Sequence, residues 1–186
     1  MCILFADITG FTRLVESVEP EVVYDIVRPL MDVLVALIRR HGGDIQQVLG
    51  DGFMSVFGLR VTRGDEVERA VLAGLALAAT GGTGAGLVVG GSHPPVHVGI
   101  EFGEVLVTPS WEPSGFGVWG RPVNLARRLC ELAGPGEVQL GPAAFGRVGQ
   151  SICPATAAQA WLRGISGPVV AHRLALELPG ALAPGG

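Results

Sequence analysis

Phe5-Ala6-Asp7-Ile8-Thr9-Gly10-Phe11-Thr12 closes the first apolar run of the chain, and Val48-Leu49-Gly50-Asp51-Gly52-Phe53-Met54 places a second aspartate beside glycine at the end of another. Residues 2–7 read as a buried strand, because a short unbroken apolar run ending in a turn fits a strand covered on both faces. Residues 44–49 and 53–57 read as a hairpin with Gly50-Asp51-Gly52 at its turn. Each aspartate therefore falls at a strand end. Carboxylates so placed can share a hard cation such as Mg²⁺. Two such ions can hold both ends of a phosphoryl displacement. A strand-end aspartate is also a common turn or cap residue, and either one alone fits that reading equally well.

The elements around these segments follow from spacing. Val22, Val23, Ile26, Val27, Leu30, Val33, Leu34, Leu37 and Ile38 recur at helical intervals and predict a helix over 20–41. Pro20 suits its first turn, and Gly42-Gly43 ends it. Pro29 inside the pattern predicts a kink or a break into two helices. Residues 65–80 form an Ala/Leu-rich helix. Residues 81–95 are rich in Gly and Pro. Their Gly81-Gly82-Thr83-Gly84-Ala85-Gly86 lacks the Lys-Ser/Thr of a phosphate loop and reads as a connection. Residues 96–101 and 104–108 suggest a second hairpin, 122–132 a helix, and 137–140 a strand. The order predicts an α+β fold, a mixed sheet with helices packed on a face. Residues 1–178 make one domain, and the Gly/Pro-rich 179–186 read as a flexible tail.

The bulk numbers agree with a globular domain. The chain has 186 residues, of which 48% are hydrophobic and 16% charged, so it can bury a core. Its net charge of −4 argues against a broad nucleic-acid-binding surface. Cys2, Cys130 and Cys153 lack metal-type spacing and read as reduced thiols of a cytoplasmic protein. No apolar stretch has the length of a membrane span, and Met1 leads into the first strand without a basic leader. A strand beginning at residue 2 suggests that further residues once preceded it.

Gly10 lets the backbone turn tightly after Asp7. A helix starting there would aim free N–H groups at an anion, so Ile8, Thr9, Gly10, Phe11 and Thr12 can cradle phosphates. An ordinary capped turn accounts for them as well. The third segment is Val118-Trp119-Gly120-Arg121-Pro122-Val123-Asn124-Leu125-Ala126-Arg127-Arg128-Leu129. Asn124 and Arg128 are four apart and share a helix face. An amide can bond sugar oxygens, and a guanidinium can neutralise charge on a transferring phosphoryl group. A solvated polar face is the plainer alternative, and it suits Arg127.

Together these segments resemble the class III nucleotidyl cyclase family, the catalytic domain of adenylyl and guanylyl cyclases. Val98-Gly99-Ile100 to Gly103-Glu104-Val105, and Leu162-Arg163-Gly164-Ile165 with Pro168-Val169, extend the likeness to about Leu178. The resemblance implies a ferredoxin-like core and a head-to-tail dimer, with this chain or another cyclase domain as partner. It implies two Mg²⁺ or Mn²⁺ ions on Asp7 and Asp51 of one subunit. Asn124 would orient the ribose and Arg128 would stabilise the transition state, both from the other subunit. The implied reaction is attack of the 3′-oxygen of ATP or GTP on the α-phosphorus, with release of pyrophosphate.

The family pattern is broken at the base-reading positions. Gln47 stands where the family has Lys, and Gly117 stands where it has Asp or Thr. Gln47 can donate and accept, so it can meet either purine, and selectivity should be weak. Glu112 and Val170 fall where the family has basic phosphate holders, and Arg121 can compensate. Two readings follow: a loosely selective cyclase, or a degenerate cyclase-like module that dimerises or binds nucleotide without turnover.

Overall fold

The computed structural model describes residues 1–81, 94–109, 116–148 and 155–174. The strand β1 (Cys2–Ile8) lies between β3 (Gly52–Phe57) and β4 (Val96–Phe102), antiparallel to both. Both of its edges are paired and both faces covered: Cys2, Ile3 and Leu4 are wholly buried. That is why its sequence runs apolar without alternation. The strand β2 (Asp44–Leu49) pairs with β3 as the expected hairpin, with a bulge between Ile45 and Gln47. Beyond β4 come β7 (Val138–Leu140), β9 (Pro168–Leu174) and β8 (Ala155–Trp161). The seven-stranded sheet has the order β2-β3-β1-β4-β7-β9-β8, and β4–β7 is its parallel pair.

The helix α2 (Pro20–Arg40) is one element despite Pro29. It turns Val23, Val27, Leu30, Met31, Leu34 and Ile38 to the core, and Gly42 (φ 76°) follows its end. It packs with α3 (Glu66–Ala79) and α5 (Pro142–Val148) on one sheet face, over Leu4, Ala6, Val98 and Ile100. The helix α4 (Arg121–Leu132) takes the other face, so helices cover both sides rather than one. Gly99 permits this closeness. A Cβ there would sit 2.1 Å from the Cys130 amide nitrogen and 2.2 Å from the Ala126 carbonyl oxygen. The result is the α+β, mostly antiparallel architecture expected from the sequence.

The second expected hairpin is corrected. The strand β4 already has β1 on one edge and β7 on the other, so no edge remains for residues 104–108. Instead β5 (Leu106–Pro109) pairs with β6 (Phe116–Trp119) as a separate two-stranded arm. Among the described residues no helix is long and apolar enough to cross a membrane. Glu112, Cys153, most of the glycine-rich connection and the tail lie outside the described residues.

Candidate active site

Asp7 ends β1, and Asp51 sits in the β2–β3 turn beside it. The Ile8 amide donates to the Asp51 carbonyl at 3.1 Å, which ties the turn to the end of β1. Gly52 is opposite Asp7 in register, and a Cβ there would lie 2.7 Å from the Ala6 carbonyl oxygen and 2.9 Å from Asp7 Oδ1. Glycine at 52 thus makes room for the Asp7 carboxylate. The Ile8 amide also donates to Asp7 Oδ1 at 3.1 Å, and His97 Nε2 stands 3.5 Å from Oδ2. His97 is the register partner of Asp7 on β4. Its place was not legible in a sequence whose four histidines are scattered.

The two carboxyls are driven apart. Burial raises both. At Asp7 the hydrogen bonds it accepts from His97 and from the Asp51 carboxyl, the His97 charge and the Ile8 amide outweigh burial and hold it below the usual carboxylate range. Asp51 is pushed up to about 6 by burial and then by the negative charge of Asp7. Crowded negative charge of this kind is what a divalent cation offsets. The donor set fits a hard oxygen-seeking ion. Among the described residues no cluster of three His, Cys, Asp or Glu side chains could hold a metal. The protein would therefore supply two carboxylates and leave the remaining positions to phosphate and water, as suits Mg²⁺. A pocket of about 190 Å³ opens over the pair, rimmed by Arg127, Cys130 and Glu131.

A second opening of about 760 Å³ gathers Gln47 from β2, Gly117 from β6 and Asn124 from α4. The bulge at Ile45/Gln47 brings Gln46 as well as Gln47 to its wall. Gly117 is walled in. A Cβ on it would lie 2.7 Å from Trp119 Nε1 and 2.8 Å from Thr108 Oγ1, which are themselves hydrogen-bonded. Phe5 and Arg127 line both openings, and Arg127 is at the same time exposed, as expected of a solvated helix face.

Arg128 does not line either opening. Its Nη1 donates to both carboxylate oxygens of Glu131, at 2.7 and 2.6 Å. Arg127 Nε also approaches Glu131, at 3.5 Å. Val170 and Arg121 line a further cleft of about 360 Å³ on the other side of the N-terminal turn of α4. The segment after Asp7 is partly committed to the fold. Ile8 is buried, its amide is used as described, and the Thr9 amide donates to the Pro95 carbonyl at 2.8 Å. Gly10 (φ 81°) precedes the short helix α1 (Phe11–Ser17), and the amides of Gly10, Phe11 and Thr12 have no partner among the described residues.

The family described as the adenylate and guanylate cyclase catalytic domain matches residues 1–153. An adenylate cyclase of Mycobacterium tuberculosis is 30% identical over 147 residues, 78% of this chain. The chain spans about a third (33%) of the length of that relative. Among solved structures, the guanylyl cyclase Cya2 is 28% identical with a TM-score of 0.81, covering 93% of this chain and 90% of its own. The adenylyl cyclase CyaB from P. aeruginosa has the same fold at 24% identity, with a TM-score of 0.80 and coverage of 94% and 92%.

Proposed function

Because the chain belongs to the adenylate and guanylate cyclase catalytic domain family, we propose that it makes cyclic AMP and pyrophosphate from ATP, with weak preference over GTP, at a site shared by two copies. The observation that carries this reading is the separation of the chemistry into two open halves. Asp7 and Asp51 line one pocket, while Gln47, Gly117 and Asn124 line another. Each half lacks what the other supplies. A head-to-tail pairing of two chains, or of this chain with another cyclase domain, would join unlike halves twice. The exposed Leu106, Phe116 and Trp119 of the β5–β6 arm offer apolar surface for such pairing.

In this site Asp7 and Asp51 would hold two Mg²⁺ or Mn²⁺ ions, which would supply Lewis-acid polarisation of the phosphates. The amides of Gly10, Phe11 and Thr12 donate to phosphate oxygens. The amide of Gln47 meets the base edge, and Asn124 orients the ribose so that its 3′-oxygen is in line with the α-phosphorus. That oxygen forms the new P–O bond as the bond to the β-phosphate oxygen breaks. The 3′-hydroxyl proton leaves to solvent, and pyrophosphate departs. Arg128 exchanges Glu131 for the charge that builds on the phosphoryl group, and so stabilises the transition state electrostatically. The nucleotide supply places this work in the cytoplasm, in keeping with the buried free thiols of Cys2 and Cys130.

The alternative, a module that binds nucleotide without turnover, draws on two observations. Trp119 and Thr108 fill the place of a side chain at 117, and Glu131 occupies Arg128. Incubation with Mn²⁺ and ATP or GTP decides between them. Cyclic product that disappears in Asp51→Ala supports the enzyme. A folded dimer that binds nucleotide but yields no product supports the module.

A further inference from the structure

At the end of the β2–β3 hairpin remote from Asp51, five arginines line one cleft of about 650 Å³. Arg39 and Arg40 come from the last turn of α2, Arg60 and Arg63 from the connection after β3, and Arg69 from α3. The hairpin strands are six residues long, so this cleft lies about 17 Å from the Asp7–Asp51 end. We propose that it is a second binding site, for an oligophosphate anion, separate from the nucleotide site. The proposal stands on the residues of the cleft and not on the chemistry assigned to the two aspartates.

The floor is built. Arg69, whose side chain is 20% exposed, bonds Asp65 at 2.8 Å and the carbonyl oxygens of His41 and Gly42 at 3.2 and 3.1 Å. Gly42 admits it: a Cβ there would lie 2.6 Å from Arg69 Nη1. Gly43 and Gly58 line the same floor and are equally without room, with contacts of 2.7 and 2.9 Å for an added Cβ. Arg60 bonds Asp44 at 2.7 Å. Glu66, buried below the 63–64 turn, accepts from the Arg63 and Gly64 amides. Against five guanidinium groups stand the carboxylates of Asp44, Asp65 and Glu66, so positive charge remains in a chain whose net charge is −4. The side chains of Arg39, Arg40 and Arg63 have no partner among the described residues.

A helix C-terminus explains Arg39 and Arg40 in part, because cations there offset the macrodipole. It does not explain why Arg60 and Arg63, from a different element, converge on the same opening. Guanidinium groups arriving from two sides suit an anion whose charge is spread over several oxygens, which each can grip in bidentate fashion. The volume exceeds that of a single phosphate and suits a chain of two or three, free or carried by a nucleoside.

Calorimetry of the whole chain in EDTA at low salt, with sodium tripolyphosphate and separately with ADP, tests the site. The expected result is one anion per chain, weakened by NaCl, with affinity falling about tenfold or more in Arg39→Gln/Arg63→Gln. Binding should persist in Asp7→Asn/Asp51→Asn and in Asn124→Ala/Arg128→Ala. Tripolyphosphate and ADP of similar affinity would assign the site to the phosphates, and tighter ADP would add a nucleoside contact. The single variant Arg63→Gln, in an exposed turn, serves if the double variant fails to melt cooperatively. Absence of binding, binding untouched by the arginine changes, or tighter binding of poly-glutamate at equal charge would overturn the proposal.

Discussion

Trp119 Nε1–H donates to Thr108 Oγ1 across 3.1 Å, and this pair stands where any side chain on Gly117 would have to go. At 117, the position proposed to face the base, the wall thus offers an indole and a hydroxyl in place of a side chain. Gly117→Thr should impair nucleotide binding because its Cβ meets atoms at 2.7 and 2.8 Å. Combined with Trp119→Ala it should recover and favour one purine over the other. The KM values for ATP and GTP across this double-mutant cycle measure the coupling. Independent, additive effects would contradict the wall's role.

The two strand-end carboxyls make stability depend on pH. Asp51 titrates at about 6 in the folded chain, above its ordinary value of about 4. Its contribution is thus fully present below about 4 and is lost as pH rises through about 6. Asp51→Asn should raise the Tm of the metal-free protein at pH 7 to 8, and the difference should shrink toward pH 4. Mn²⁺ should reverse the order at pH 7, stabilising wild type more than the variant. A difference in Tm that is flat with pH would remove the charge-crowding account.

Glu131 holds both hydrogen bonds of Arg128 Nη1. Arg128→Ala should lower kcat about a hundredfold to a thousandfold, the usual loss for a group that meets transition-state charge. Glu131→Gln should raise kcat, because the guanidinium no longer has to leave an ion pair. Steady-state kinetics with Mn²⁺-ATP check both. A fall in kcat for Glu131→Gln would mean that Glu131 positions Arg128 rather than restrains it.

Gly99 sets how closely α4 approaches the sheet. Gly99→Ala brings a methyl to 2.1 Å from a backbone nitrogen, with no flexible side chain to give way. We expect a destabilisation of about 3 kcal/mol or loss of the fold, as overpacking against backbone produces. Thermal melting reads it, and an unchanged Tm would show that α4 can shift.

The central fold was legible where local pattern and tertiary setting agreed. β1 reads as buried because both faces and edges are covered, and α2 reads from the period of Val23 through Ile38. The pairing of β5 was not legible, because nearness in sequence suggested β4 while the edges of β4 were taken by more distant strands. α5, seven residues starting at Pro142, and β6, four residues with a glycine, were too short to carry a period. In the site, Asp7 and Asp51 stood out by position at strand ends. His97, Arg127, Glu131 and Thr108 did not, because only the register of β4 with β1, the approach of α4 over Gly99 and the pairing of β5 with β6 bring them there.

The shared site is tested most directly by mixing two inactive variants, Asp51→Ala and Asn124→Ala, and assaying cyclic AMP formation. In a head-to-tail dimer, random pairing gives half mixed dimers, each with one intact site, so activity should return to about a quarter of wild type. A mixture as inactive as its two components would contradict a site divided between subunits.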